Sequence, residues 1–141
     1  MPEALPEAVF HIYPTDCDML GHLNHGTMLH FLERARWALL EPQINYDEVG
    51  RQPVFVVVRR VEIDYRAQVL PGEDLVIRSG LLMVKTTSFI VRQEARIART
   101  GVLAAEANLV IVTIDRSGRP VPVPESWSGM FPRWPDAPVA G

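Results

Sequence analysis

With 141 residues, 48% of them hydrophobic and 22% charged, the chain has the length and composition of a single globular domain that can bury its own core. A net charge of -3 offers no basic face for displacing counterions from a nucleic acid, and no run approaches the ~20 apolar residues of a membrane helix. The lone Cys17 excludes an internal disulfide, and the first 13 residues hold neither a basic region nor a long apolar run, so a soluble, cytoplasmic protein without a signal peptide is expected.

Residues 9–13 read as a short strand. A polar, turn-like run follows over 14–24, holding Asp16, Asp18, Gly21 and His22. From about Gly26 the period becomes helical. Met28, Leu32, Ala35 and Leu39 recur at spacings of four, three and four, with Phe31 beside them. Asn24 suits the N-cap of this helix and Pro42 marks its end. No other stretch reads as a long helix.

The remainder is strand. Residues 54–65 begin as an apolar run and then alternate, with Val61, Ile63 and Tyr65 opposite Arg60, Glu62 and Asp64. Pro71-Gly72 marks a turn. Strands are predicted over 75–84 and 88–98, the latter with Phe89, Val91, Ala95 and Ile97 opposite Arg92, Glu94 and Arg96. After a turn at 99–101, a strand over 102–115 is apolar on both faces through 109–114, as for a strand covered on both sides. The expected domain core spans about 8–115. A Pro-rich extension over 116–141, with Trp127 and Trp134, is expected to make one helical turn near 125–130 and to pack its aromatics on the domain. One strand, one long helix and four antiparallel strands make an α+β layout, a sheet of about five strands able to wrap around its single helix. This order excludes the doubly wound nucleotide folds, which need repeated crossover helices.

The segment that carries chemistry is 13–36, YPTDCDMLGHLNHGTMLHFLERAR. It resembles the signature of the 4-hydroxybenzoyl-CoA thioesterase branch of the hot-dog superfamily. In that branch a strand ends in an Asp-x-Asp element, a glycine turn follows, and a helix opens near an Asn or His, often with a Glu-Arg-Ala-Arg run, here 33–36. The resemblance implies a hot-dog fold and hydrolysis of an acyl-CoA to free acid and CoA thiol. It implies Asp18 as the catalytic carboxylate, and a backbone N–H near His25 or Gly26 as the group that polarises the thioester carbonyl. His25 stands where related thioesterases carry a histidine and others an aromatic residue.

The chemistry of the residues agrees. Thioester hydrolysis needs a base or nucleophile beside the carbonyl carbon and donors aimed at its oxygen. A helix opening after Asn24 exposes unpaired N–H groups and a positive dipole end. A carboxylate just upstream can activate water or attack directly, and the sequence leaves both roles open for Asp18. Asp16 and Asp18 are also good turn-formers, and Asp16 is read as holding the loop. Asn24 fits a helix cap as well as a substrate ligand, and His22 fits a turn residue. Cys17 between two carboxylates is a poor nucleophile. A metal site is not expected: a calcium loop begun at Asp16 needs an oxygen ligand and a glutamate where Leu20 and Thr27 stand, and no His-Glu-x-x-His occurs.

For the rest of an acyl-CoA, the basic candidates are Arg59, Arg60, Lys85, Arg92 and Arg96. Arg59 shares strand parity with Val57, Val61 and Ile63, so its charge needs a ligand or an ion-pair partner at a subunit interface. Lys85, Thr86, Thr87 and Ser88 lie at a strand junction where, by the resemblance, polar groups sit near the thioester or pantetheine. Met28, Phe31, Leu32, Phe55 and Val57 are candidates to line an apolar acyl or aryl pocket. Arg34 and Arg36 are read as structural. No cofactor beyond the substrate's own CoA is expected. An open sheet edge invites a second copy, and the resemblance implies a site between subunits, hence a homodimer or homotetramer. The alternatives are a hot-dog hydratase or dehydratase, whose Asp-x-Asn-Pro-x-His element is missing here, and a non-catalytic acyl-CoA binding module.

Overall fold

Residues 5–127 and 129–135 are described by the computed structural model. In chain order the elements are β1 (Glu7–His11), α1 (His25–Leu40), α2 (Tyr46–Val49), β2 (Phe55–Tyr65), β3 (Asp74–Val84), β4 (Ser88–Ile97) and β5 (Leu103–Ile114). Short 3-10 turns occupy Pro14–Asp16, Glu41–Gln43 and Glu125–Trp127. The expected element order holds, with α2 as an addition too short to show a period. The last of the 3-10 turns is the helical turn expected near 125–130. The expected domain's ends, 1–4 and 136–141, and residue 128 lie outside the described residues.

The five strands form one antiparallel sheet in the order β1-β3-β4-β5-β2, wrapped around α1 in the hot-dog arrangement. The period-2 reading of β4 holds: Phe89, Val91, Gln93, Ala95 and Ile97 are buried toward the helix. From α1 come Met28, Phe31, Leu32 and Ala35. Each large apolar side chain buried this way contributes about 1.5–3 kcal/mol. The expectation for 109–114 is met on one face only. Leu109, Ile111 and Thr113 are buried, while Val110, Val112 and Ile114 are half-exposed. On that outer face the chain lays ion pairs instead of a second layer, with Arg92 bridging Glu94 (3.2 Å) and Glu106 (3.3 Å) and Arg96 reaching Glu94 (3.5 Å).

Two departures from regularity shape the site. First, β2 is bulged against β5. Val58 faces Ile111 and Arg60 faces Val110, so Arg59 is the extra residue. The bulge flips parity. Val56, Val58, Val61 and Ile63 lie opposite the buried β5 residues Thr113, Ile111, Leu109 and Ala107, whereas Val57 lies opposite Val112 on the outer face. The parity expected for Arg59 with both Val57 and Val61 therefore fails, because one inserted residue reverses every later side chain. Second, α1 packs over β1 and β3. The core face of β2 is left open, with Val56, Val58 and Val61 at 52%, 43% and 39% exposure.

One buried polar node joins helix to sheet. Gln93 is fully buried; its Nε2 donates to the Leu32 carbonyl and to Ser79 Oγ, both at 2.9 Å, and its Oε1 accepts from Arg36 Nη1 at 3.0 Å. Burial pulls the Arg36 guanidinium below the ordinary arginine value, and Glu33 one turn earlier partly offsets this. Arg36 thus has the structural place expected of it. Past β5 the chain returns: the Val123 N–H donates to the Thr86 carbonyl (2.9 Å), and Leu81 exchanges bonds with Pro132 and Trp134 (2.7 and 2.9 Å) along β3. Phe131 packs its ring 6.2 Å from Phe89, and Trp134 lies under Arg92 and Arg78, so the tail's aromatics do pack on the sheet.

Truncating Gln93 strands three polar partners and leaves a void. Gln93→Ala is expected to cost roughly 3 kcal/mol in urea-induced unfolding. A loss below about 1 kcal/mol, the net value of one ordinary hydrogen bond, would contradict the node.

Candidate active site

The loop between β1 and α1 is tied at every few residues. Asp16 Oδ2 accepts the Tyr13 N–H at 2.8 Å, and the Asp16 carbonyl accepts the Asn24 N–H at 3.1 Å, so Asp16 closes the loop as expected. Inside it, Asp18 N–H donates to the His22 carbonyl and Gly21 N–H to the Asp18 carbonyl, both at 3.0 Å. Gly21 takes φ 85°, a left-handed turn that glycine adopts without strain. The Leu23 N–H bonds the Val69 carbonyl at 2.7 Å, fixing the loop to the β2–β3 connection.

Asp18 is half-buried at the loop's inner side. Its Oδ1 accepts the Leu20 N–H at 3.0 Å, an Asx-type turn, and its Oδ2 faces His22 Nδ1 at 3.9 Å, beyond hydrogen-bonding distance. One carboxylate oxygen builds the turn and the other stays open. The loop tip beyond it is bare and apolar, with Met19 and Leu20 at 97% and 77% exposure.

Helix α1 begins at His25 because Asn24 Oδ1 accepts the Gly26 N–H (2.8 Å) and the Thr27 N–H (3.2 Å). Of the two candidate donors near His25 or Gly26, the Gly26 N–H is engaged by the cap, and a Cβ there would crowd Asn24 Oδ1 at 3.2 Å. Among the described residues, the His25 N–H is the first-turn donor that no acceptor engages. The dipole of the helix reinforces it.

Tyr65, the last residue of β2, sets the position of this terminus. Its hydroxyl donates to the His25 carbonyl at 2.7 Å, and the two rings meet edge-on at 6.3 Å. Burial raises the Tyr65 hydroxyl above its ordinary value, so it stays a donor. Asp18, His22, His25, Met28, Tyr65 and Arg66 surround a cavity of about 270 Å3. Arg66 is anchored to Glu106 at 2.8 Å, and that bond with its charge raises the guanidinium above its ordinary value. Tyr65 and Arg66 were missed from sequence. Their only signal is the position at the end of a strand, and their partners lie 40 residues away.

Of the sequence candidates, Asp18, His25 and Met28 meet at this pocket, Met28 as a buried wall also belonging to the core, while Asn24 serves as the helix cap beside it. Phe31 and Leu32 are core residues. Arg59 sits exposed at the bulge in the middle of β2, and Arg60 pairs with Glu62. The Lys85–Ser88 turn does not reach the pocket in the same chain. It joins the far ends of β3 and β4, roughly 30 Å along an 11-residue strand. There the Lys85 N–H donates to the Ser88 carbonyl, and the Thr86 and Thr87 carbonyls hold Val123 and Thr113.

A second, larger cavity of about 720 Å3 lies at the other end of α1. Trp37, Leu40, Val56, Val58, Phe89 and Trp127 are among its walls. Phe55 and Val57, expected to line an acyl pocket, are not among its walls; Val56 and Val58, on the core face of β2, are.

Comparison with known proteins gives a consistent set. A family profile described as the thioesterase-like superfamily matches residues 12–131. The long-chain acyl-CoA thioesterase FadM of Escherichia coli K12 is 31% identical over 98 residues, covering 70% of this chain and 74% of that protein. The probable thioesterase YbaW of E. coli superposes with a TM-score of 0.75 at 26% identity over 82% of this chain and 88% of that one. A thioesterase from Thermus thermophilus complexed with coenzyme A and zinc gives a TM-score of 0.75 at 26% identity, over 89% and 90% of the two chains. A 1,4-dihydroxy-2-naphthoyl-CoA thioesterase from Synechocystis, at 18% identity, shares the fold, with a TM-score of 0.80 over 88% and 93%.

Cys17 also belongs to this loop. Burial first, then the carboxylates of Asp16 and Asp18, push its thiol above the ordinary value. A raised pKa lowers the thiolate fraction near neutrality. Alkylation by iodoacetamide at neutral pH is therefore expected to be several-fold slower than for glutathione and to accelerate as pH rises. Equal rates for the two thiols would contradict this.

Proposed function

The chain belongs to the thioesterase-like superfamily, and from that premise we propose that it hydrolyses acyl-CoA thioesters to a free acid and CoA thiol. The observation that carries the reading is the meeting of an open Asp18 carboxylate oxygen and an unengaged His25 N–H at one pocket, at the positive end of α1. Asp18 Oδ2 either takes a proton from the water that attacks the carbonyl carbon, or attacks that carbon itself to form a mixed anhydride that water then cleaves to the free acid. The carbonyl oxygen gains charge as the tetrahedral intermediate forms, and the His25 N–H receives it; such a donor is worth ~3 kcal/mol in the transition state. Collapse expels the CoA thiolate. Asn24 contributes by holding the first turn so that this one N–H faces outward. Tyr65 contributes by fixing the His25 carbonyl from behind.

The active unit is a homo-oligomer built on β2. This strand is at the sheet edge, is 11 residues long, and exposes Val56, Val57 and Val58. The apolar 55–58 stretch of this edge can pair with another strand, and the opposite charges of Arg59, Arg60, Glu62 and Asp64 beyond it can meet their counterparts on an antiparallel copy. Antiparallel addition of a second β2 brings the Tyr65 end of one copy to the Phe55 end of the other. It carries the partner's Arg59 and Lys85–Ser88 turn toward the Asp18 end, where they serve substrate binding, and offers cover for Met19 and Leu20.

Thiol release from short, long and aromatic acyl-CoAs tests the reaction. Asp18→Asn is expected to lower kcat/KM by roughly 100- to 10,000-fold with the fold retained. His25→Ala is expected to lose less than about ten-fold, since its backbone donor remains. Full activity in Asp18→Asn would remove the carboxylate from the mechanism, and no release from any thioester would favour the hydratase or binding-module reading.

The oligomer has its own test. Val57→Lys puts a charge in the apolar 55–58 stretch of the β2 edge and is expected to give a monomer in sedimentation velocity, with thiol release lost alongside. A Val57→Lys protein that sediments as the wild type does would place the contact elsewhere.

A further inference from the structure

The larger cavity is closed on one side by the tail that follows β5. Val123, Trp127, Met130 and Phe131 form that wall, facing Trp37 and Leu40 of α1 and Val56 and Val58 of β2. The tail is fastened at both ends and in the middle: Val121 N–H to the Thr113 carbonyl and Val123 N–H to the Thr86 carbonyl at one end, Pro132 and Trp134 to Leu81 at the other. Between them the Gln43 side chain donates to the Met130 carbonyl at 3.3 Å, clipping the tail to the turn that ends α1. Phe131 is packed against the core, whereas Trp127 is not part of that cluster and gives its bulk to the cavity wall.

Size decides what the cavity can hold. Small-molecule sites fall within ~300–1,000 Å3. The Asp18 pocket, at about 270 Å3, is below that range, and the tail-walled cavity, at about 720 Å3, is inside it. Within one chain the two are separated, since Glu33, the first α1 residue on the cavity wall, is about 12 Å along the helix from His25. Antiparallel pairing through β2 shortens the path. It sets the Val56 and Val58 walls of one copy against the Tyr65 end of the next.

We propose that this cavity receives the apolar acyl group of the substrate and that the tail, through Trp127 and Met130, sets the length of acyl group accepted. The inference rests on the hydrolase reading for the identity of the ligand. Most of the walls are hydrocarbon and aromatic, and of the polar groups among them Arg36 is held by Gln93 Oε1 and Gln43 by the Met130 carbonyl, so the apolar part of the cavity suits a saturated chain. Chains that fit gain burial with every methylene. Chains that exceed the cavity meet the Trp127 wall.

The experiment is binding of S-alkyl-CoA thioethers of graded length by calorimetry, which reads the cavity whether or not the protein turns a substrate over. Wild type is expected to bind more tightly with each added methylene up to one length and to show a sharp loss beyond it. In Trp127→Ala that limit is expected to move out by at least two carbons, with a gain of roughly four-fold per newly buried methylene. Met130→Ala is expected to move it in the same direction, which keeps the test in hand if Trp127→Ala fails to fold. An unchanged limit in both folded variants, or an equal loss at every length, overturns the proposal. Thiol release from the matching acyl-CoAs is followed in parallel. A thioether limit that shifts without any thiol release retains the cavity assignment and discards the hydrolase reading.

Discussion

The side chain of Asn24 accepts two backbone N–H groups, and this cap decides which first-turn donors of α1 are left without an acceptor. A helix has four unsatisfied N–H groups at its start, so its N-terminus is ambiguous until a cap chooses among them. Here the choice takes Gly26 and Thr27 and leaves His25. The rest of the site depends on that selection being rigid. Tyr65 fastens the His25 carbonyl to β2 and the Asp16 carbonyl fastens the Asn24 N–H. The loop between those anchors has little freedom, and Asp18 inherits its position from it.

A second constraint is the off-centre seat of α1. The Gln93 node binds the helix through the Leu32 carbonyl and Arg36, and β4 lies on the β3 side of β5. The helix therefore covers β1 and β3 and leaves the core face of β2 without a lid. A buried amide with all its partners satisfied fixes one helix position, whereas an apolar contact of the same size would tolerate sliding. The open side that results is where both cavities lie.

Much of this was legible in the sequence. The 3.6-residue period placed α1, the alternation of Phe89, Val91, Ala95 and Ile97 placed the inner face of β4, and Asn24 announced the helix start. The Asp-Cys-Asp turn reads as the segment that carries chemistry, and the structure seats its Asp18 on a pocket. Other features were invisible for physical reasons. A bulge at Arg59 leaves no compositional trace, yet it reverses which of Val56 and Val57 looks inward. Tyr65 acts through a partner 40 residues away. The larger cavity is assembled from α1, α2, β2 and the tail, so no window of sequence contains it. That the cap takes the Gly26 N–H is a three-dimensional matter that the spacing of residues does not announce.

The two borders of the sheet differ in kind. On one side β2 runs 11 residues as one strand, bent only by the bulge at Arg59. On the other, the outer flank of β3 is shared between five residues of β1 and the short Pro132–Trp134 stretch of the tail, with Pro6, Pro132 and Pro135 bordering the pieces. Proline cannot donate to a ladder, and a broken border offers too few groups in line to seed another strand. A copy added at β2 uses the long border of both molecules and exposes only broken ones. Growth by strand addition then has no second step, so the same edge that invites company also forbids a fibre.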